Sequence, residues 1–97
     1  MELFAGIGGF GLAFERRGFH VTDQVEIDPY CLAVLKKRFP DARRHTDVRE
    51  VGAHNLPRPA VLCGGFPCQP HSLAGKRKGA EDGRDLWHEF ARLVGEL

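Results

Sequence analysis

An α/β fold with a parallel sheet is predicted by three observations. Met1 to Ala5 read as a short buried strand that breaks into glycines and resumes as a helix. A second strand ends in an acid, Glu26, which lies 20 residues beyond Gly6. Val61 to Cys63 are β-branched and apolar, as in a strand buried on both faces, and they again run into glycines. Strands that alternate with helices in this way build parallel sheets.

The first strand-turn-helix carries Gly6-Ile7-Gly8-Gly9-Phe10-Gly11, a match to G-x-G-x-x-G through Gly6, Gly8 and Gly11. Without side chains at these positions, a ligand can approach the backbone where a helix begins, as in the first half of a Rossmann-type unit. The helix continues through Leu12 and Phe14, gains cations at Arg16 and Arg17, and stops at Gly18. Phe19 to Ile27 are expected to form the second strand, with Phe19, Val21, Val25 and Ile27 as its apolar set. At its end Glu26 is placed to accept hydrogen bonds from the hydroxyls of an adenosine ribose.

Asp28 and Pro29 suit the cap and first position of a second helix, in which Leu32, Leu35 and Phe39 face the sheet and Cys31 is a small core residue. Lys36, Lys37 and Arg38 favour its carboxyl end before Phe39-Pro40 stops it. Ala42 to Thr46 fit only a short edge strand. Asp47-Val48 follows as another acid at a strand end, able to accept from an adenine amino group. Arg49 to Arg58 are expected to be a loop with at most one helical turn.

The strand at Val61 to Cys63 delivers Gly64-Gly65-Phe66-Pro67-Cys68-Gln69-Pro70-His71-Ser72, a cysteine held between prolines at a strand's carboxyl end. There Cys68 is either a nucleophile or a loop thiol without a task. A free thiol is only a few per cent thiolate at neutral pH, so the first role needs help from its surroundings. Metal is not expected, because Cys63, Cys68 and His71 follow C-x4-C-x2-H with no paired C-x2-C. Gly75 to Arg84 read as a mobile lid or a solvated loop, with Asp85 capping a last helix whose stripe is Leu86, Phe90, Leu93 and Leu97, with Trp87 and Val94 beside it. His20, His45, His54 and His88 show no ligand-like grouping.

Ninety-seven residues make at most one small domain with a thin core. Hydrophobic residues at 42% and charged residues at 28% exclude neither solubility nor order, and the apolar runs fall far short of a membrane span. No apolar leader is seen, so a cytoplasmic protein is expected. The three cysteines fit reduced thiols. A net charge of +1 gives no general pull on nucleic acid, so any DNA contact must be a local patch.

Together these residues resemble the start of a DNA (cytosine-5)-methyltransferase, over essentially the whole chain. Phe4-Ala5-Gly6-Ile7-Gly8-Gly9 resembles the family's first motif, Glu26-Ile27 the second, Asp47-Val48 the third, and Gly65-Phe66-Pro67-Cys68-Gln69 with Ser72 the fourth. The resemblance implies a Rossmann-like S-adenosylmethionine-dependent methyltransferase fold, incomplete, with about four parallel strands and flanking helices. It implies S-adenosylmethionine as cofactor, held by the first three motifs with Pro67 and Leu86. It makes Cys68 the catalytic nucleophile on cytosine in double-stranded DNA. Gln69, Ser72, Lys76, Arg77, Lys78 and Arg84 would contact DNA, most of them from a loop that closes over it. A companion restriction endonuclease is a further implied partner.

Glu2 stands where the family usually has Asp, His71 where an aromatic is common, and Pro59-Ala60 where an acid often precedes the strand. The family's downstream Glu-Asn-Val motif and target-recognition region do not occur. Residues 1–97 are therefore expected to be the amino-terminal portion of one methyltransferase catalytic domain, the cofactor-binding half plus the cysteine loop, inactive alone and with an exposed apolar edge on the strand that ends at Cys63. Two alternatives remain open: a nicotinamide-dependent oxidoreductase fragment, which the glycine turn and Glu26 also fit, and an inactive nucleotide-binding stub.

Overall fold

The computed structural model describes residues 1–65 and 77–97, with side chains given for 1–65 and 86–97. Four short strands, β1 (Glu2–Leu3), β2 (Asp23–Val25), β3 (Arg43–His45) and β4 (Cys63–Gly64), pair in the order β3-β2-β1-β4, every pairing parallel. The accompanying helices are α1 (Gly9–Glu15), α2 (Pro29–Arg38) and α3 (Arg77–Glu96), with a 3-10 turn at Val48–Glu50. This is the parallel α/β sheet predicted from the sequence, a Rossmann-like arrangement in which β1 lies between β2 and β4. Connections leave β1 toward β2 and return on its other side at β4, so the strand order reverses direction at β1. A crevice opens at such a switch point.

Alternation along the strands sorts the core into two layers. Leu3 and Val25, opposite each other in register, join Met1, Val48, Val51, Leu56 and Leu93 on the face covered by α3. Ala5, Val21, Leu35, Phe39 and Ala42 form the other layer, under α1 and α2. Leu35 and Leu93 are fully buried, each worth about 1.5–3 kcal/mol against exposure. On the α1 side of β1, Glu2 is also buried, where it accepts from Gly11 N at 3.2 Å and from Gln24 Nε2 at 3.3 Å. Burial outweighs these donors and raises the Glu2 pKa.

Two glycines are required by geometry. Gly8 caps α1 at φ 92°, in the left-handed region, and a Cβ there would sit 2.5 Å from the Phe39 ring. At Gly64 a Cβ would lie 2.5 Å from the carbonyl oxygen of Leu3, so β4 pairs with β1 only as glycine.

Several sequence expectations need correction. The second strand spans Asp23–Val25 rather than Phe19 to Ile27. Phe19 instead packs edge-on against Phe14 at 5.3 Å, and Ile27 is 73% exposed. The strand expected at Val61 to Cys63 is Cys63–Gly64, and it is half-buried rather than covered on both faces. The polar segment read as a loop through Arg84 is helical from Arg77 onward, so Asp85 lies inside α3 and not at its start. Opposite charges four residues apart, Arg77 with Glu81 and Lys78 with Asp82, suit a helix better than the glycines at 79 and 83 suggest. The expected stripe holds, with Leu86, Phe90, Leu93 and Leu97 on the core and Trp87 and Val94 exposed. The outer edge of β4 meets no strand among the described residues. No described helix is long and apolar enough to cross a membrane.

Candidate functional site

The carboxyl ends of β1, β2 and β3 and the first turn of α2 enclose a cleft of about 350 Å³. Phe4, Gly6, Glu26, Ile27, Asp47, Val48 and Leu86, each singled out from the sequence, line it together. Ala5, Ile7 and Gly9 line an adjoining, more open depression of about 480 Å³, which shares Phe4 and Gly65 with the cleft. Residues scattered from 4 to 86 thus meet at one edge of the sheet.

Glu26 leaves β2 where its backbone N–H still donates to His45 O at 2.9 Å. Its Oε1 accepts from Gly6 N at 2.7 Å and its Oε2 from Asp28 N at 2.9 Å. One carboxylate therefore pins the glycine turn after β1 to the start of α2. Each carboxylate oxygen can accept twice, so acceptor capacity remains toward the cleft. Asp47 Oδ1 accepts from Arg49 N at 2.9 Å and caps the 3-10 turn, while Oδ2 accepts no hydrogen bond among the described residues. The two acids offer acceptors at two points of one concave surface.

Apolar surface lies between them. Phe4 holds φ at 52°, a left-handed angle that costs a non-glycine residue on the order of 1–3 kcal/mol. Its ring stacks on Phe90 at 6.5 Å, and Phe90 on Trp87 at 6.4 Å. Ile27 lines the cleft and stands exposed. A ligand with a flat apolar ring and hydroxyl or amino donors would cover the one and satisfy the other.

Cys31 was missed as a site residue. It was expected in the core, yet it lines the cleft half-buried, because the first turn of α2 points at this edge of the sheet. Burial, then the carboxylates of Asp28 and Glu26, raise its thiol pKa, which favours the protonated form. Asp28, Thr46, Arg49 and Gly65 also line the cleft, and only their places at strand ends or loop starts signal it. Cys63 is half-buried, with its pKa raised by burial and by Glu2, and its thiol donates to Met1 O at 3.6 Å. No group of metal-ligating side chains occurs among the described residues.

Gly8 supports the turn from outside the cleft. Pro67, Cys68, Gln69, Ser72 and Lys76 lie outside the described residues. Arg77, Lys78 and Arg84 lie on α3, with side chains outside the description.

Comparison with known proteins gives this arrangement relatives. The family model for C-5 cytosine-specific DNA methylase matches residues 1–97. The chain is 40% identical to the Type II methyltransferase M.HhaI of Haemophilus parahaemolyticus, over 99% of this chain and 29% of that protein. It is 40% identical to M1.ScrFI of Lactococcus lactis subsp. cremoris, over 99% of this chain and 25% of that one. Identity to M.MspI of Moraxella sp is 36%, over 97% and 23% of the two chains. The chain thus spans about a quarter of the length of these relatives.

Proposed function

The chain belongs to the C-5 cytosine-specific DNA methylase family, and from that premise we propose that it supplies the cofactor cleft and the nucleophile of an enzyme that methylates carbon 5 of cytosine in double-stranded DNA. The observation that carries this reading is the convergence of Glu26, Ile27, Asp47, Val48, Leu86 and the glycine turn on one cleft. At about 350 Å³ the cleft is within the range of roughly 300–1,000 Å³ typical of small-molecule sites. Its chemistry fits S-adenosylmethionine. Glu26 accepts from the ribose hydroxyls, Asp47 Oδ2 accepts from the adenine amino group, and Ile27 and Leu86 flank the base. Phe4, Ala5, Gly6, Ile7, Gly8, Gly9, Val48 and Pro67 complete the surroundings. Bound there, the cofactor supplies a methyl group on a sulfonium.

Cys68 is the proposed nucleophile. It lies three positions after Gly65 on the cleft wall, a stretch that a fully extended chain spans in about 10 Å, which bounds how far the cysteine can lie from a ligand in the cleft. Its thiolate adds to carbon 6 of a cytosine taken out of the duplex, and the bond formed there turns carbon 5 into an enamine carbon able to accept a methyl group. Loss of the carbon 5 proton and departure of the Cys68 thiolate then restore the ring. Gln69, Ser72, Lys76, Arg77, Lys78 and Arg84 are proposed to contact the DNA, the cations through phosphates.

Because the relatives are about four times longer, residues 1–97 are proposed as the amino-terminal portion of one catalytic domain, inactive by themselves. Such an enzyme would work in the cytoplasm of a bacterial or phage-infected cell, with a restriction endonuclease as its companion. The test is labelled methyl transfer from S-adenosylmethionine to duplex DNA by the full-length protein. Labelled 5-methylcytosine is expected in the wild type and none above background in Cys68→Ala; undiminished labelling in that variant would overturn the assignment.

A further inference from the structure

We propose that Arg92 is a positioning residue for the base-binding end of the cleft, fixing the segment that carries Asp47 and Val48 against α3; the proposal rests on the reading of the cleft as the S-adenosylmethionine site. All three guanidinium nitrogens are engaged. Nε donates to Glu89 Oε1 at 2.8 Å and Nη1 to Glu96 Oε2 at 2.9 Å, so the two carboxylates, three residues before and four after, hold the fork in place. Nη2 then donates across to Val48 O at 3.1 Å and Val51 O at 2.9 Å. These are the carbonyls of two buried residues in the turn that follows Asp47.

A second contact closes the clamp. Glu96 Oε1 accepts from Ala53 N at 3.1 Å, and a Cβ on Gly52 would meet that same oxygen and displace it, so the segment lies directly against the side chains of α3. Leu86 lies on the same helix and lines the cleft directly. One rigid element therefore sets two walls around the base, Leu86 by contact and Asp47-Val48 through Arg92. Arg92 itself does not line the cleft, which makes it a positioning group rather than a ligand contact.

The test uses the full-length protein and two probes, S-adenosylhomocysteine and its inosine counterpart, which carries a carbonyl where adenine carries the amino group. The wild type is expected to prefer adenine, because Asp47 can accept from the amino group and not from the carbonyl. In Arg92→Lys a single ammonium cannot serve two carboxylates and two carbonyls. The preference should fall about tenfold, the size of one lost hydrogen bond to a charged group, and KM for S-adenosylmethionine should rise while kcat and KM for DNA stay within about twofold. If Arg92→Lys does not fold, Glu96→Gln decides, with a smaller loss of preference, about threefold, expected in the same direction. Unchanged preference in the variant that folds would overturn the inference alone. A wild type that binds neither probe would overturn the cofactor reading and this inference with it.

Discussion

Glu2 shows how much a single buried carboxyl does for the sheet. It bridges β1 to α1 through Gly11 and to β2 through Gln24, while Gln24 Oε1 is buried with no hydrogen-bond partner among the described residues. Burial raises its pKa, so the native state holds the proton more tightly than the unfolded chain. Stability then falls as pH rises through the interval between the unfolded and the folded value, and the penalty is fully present above the folded one. Glu2→Gln is predicted to abolish that slope and to leave the protein at least as stable at neutral pH. The introduced amide can donate to Gln24 Oε1, once that side chain turns, and still accept from Gly11. Urea unfolding at pH 5 and pH 7.5 checks this; destabilisation by more than about 1 kcal/mol at both values would contradict it. Glu96 behaves oppositely. Its hydrogen bond from Arg92, then that from Ala53, lowers its pKa, so its contribution is present above the ordinary carboxylate range and lost as pH falls through the lowered value.

Gly64 gives a steric prediction at the same scale. Gly64→Ala places a methyl group against the Leu3 carbonyl, which as backbone cannot swing aside, and it should cost about 1–3 kcal/mol in thermal or urea unfolding. A shift within experimental error would mean that β1 and β4 pair less closely than the structure shows.

Among the elements, α2 was the most legible, because its signals are local. Asp28 Oδ1 accepts from Tyr30 N at 2.8 Å and Cys31 N at 3.4 Å, Pro29 occupies the first turn, and Lys36, Lys37 and Arg38 end the helix. Asp28→Ala should therefore destabilise the protein by about 1 kcal/mol and Asp28→Asn by much less, measured as the shift in urea midpoint. β2 was overextended for a physical reason. Phe19 and Ile27 are apolar like strand residues, but one is held by Phe14 and the other stands at the cleft mouth, and periodicity cannot distinguish core burial from ligand-facing exposure. The start of α3 was hidden by Gly79 and Gly83, which read as breakers although the helix runs through both.

For the whole molecule, the sheet order β3-β2-β1-β4 turns sequence motifs into a site. The glycine turn, Glu26 and Asp47 were each legible at strand ends, and parallel pairing brings strand ends together, so their convergence followed once the fold was right. What stayed illegible depends on tertiary contact. Arg92 reads as an ordinary helix ion pair at three- and four-residue spacing, and nothing in its neighbours shows that its outer nitrogen reaches the carbonyls of residues 48 and 51. Cys31 reads as core because it is a small hydrophobe inside a helix, and only the direction of that helix exposes it to the cleft.

Calorimetric titration of the full-length protein with S-adenosylmethionine, beside Glu26→Ala and with NAD as the competing ligand, tests the account most directly. It predicts saturable binding of S-adenosylmethionine, little or none of NAD, and affinity weakened by about 2 kcal/mol, roughly thirtyfold, when the Glu26 carboxylate is removed. Preference for NAD, or undiminished affinity in Glu26→Ala, would contradict it.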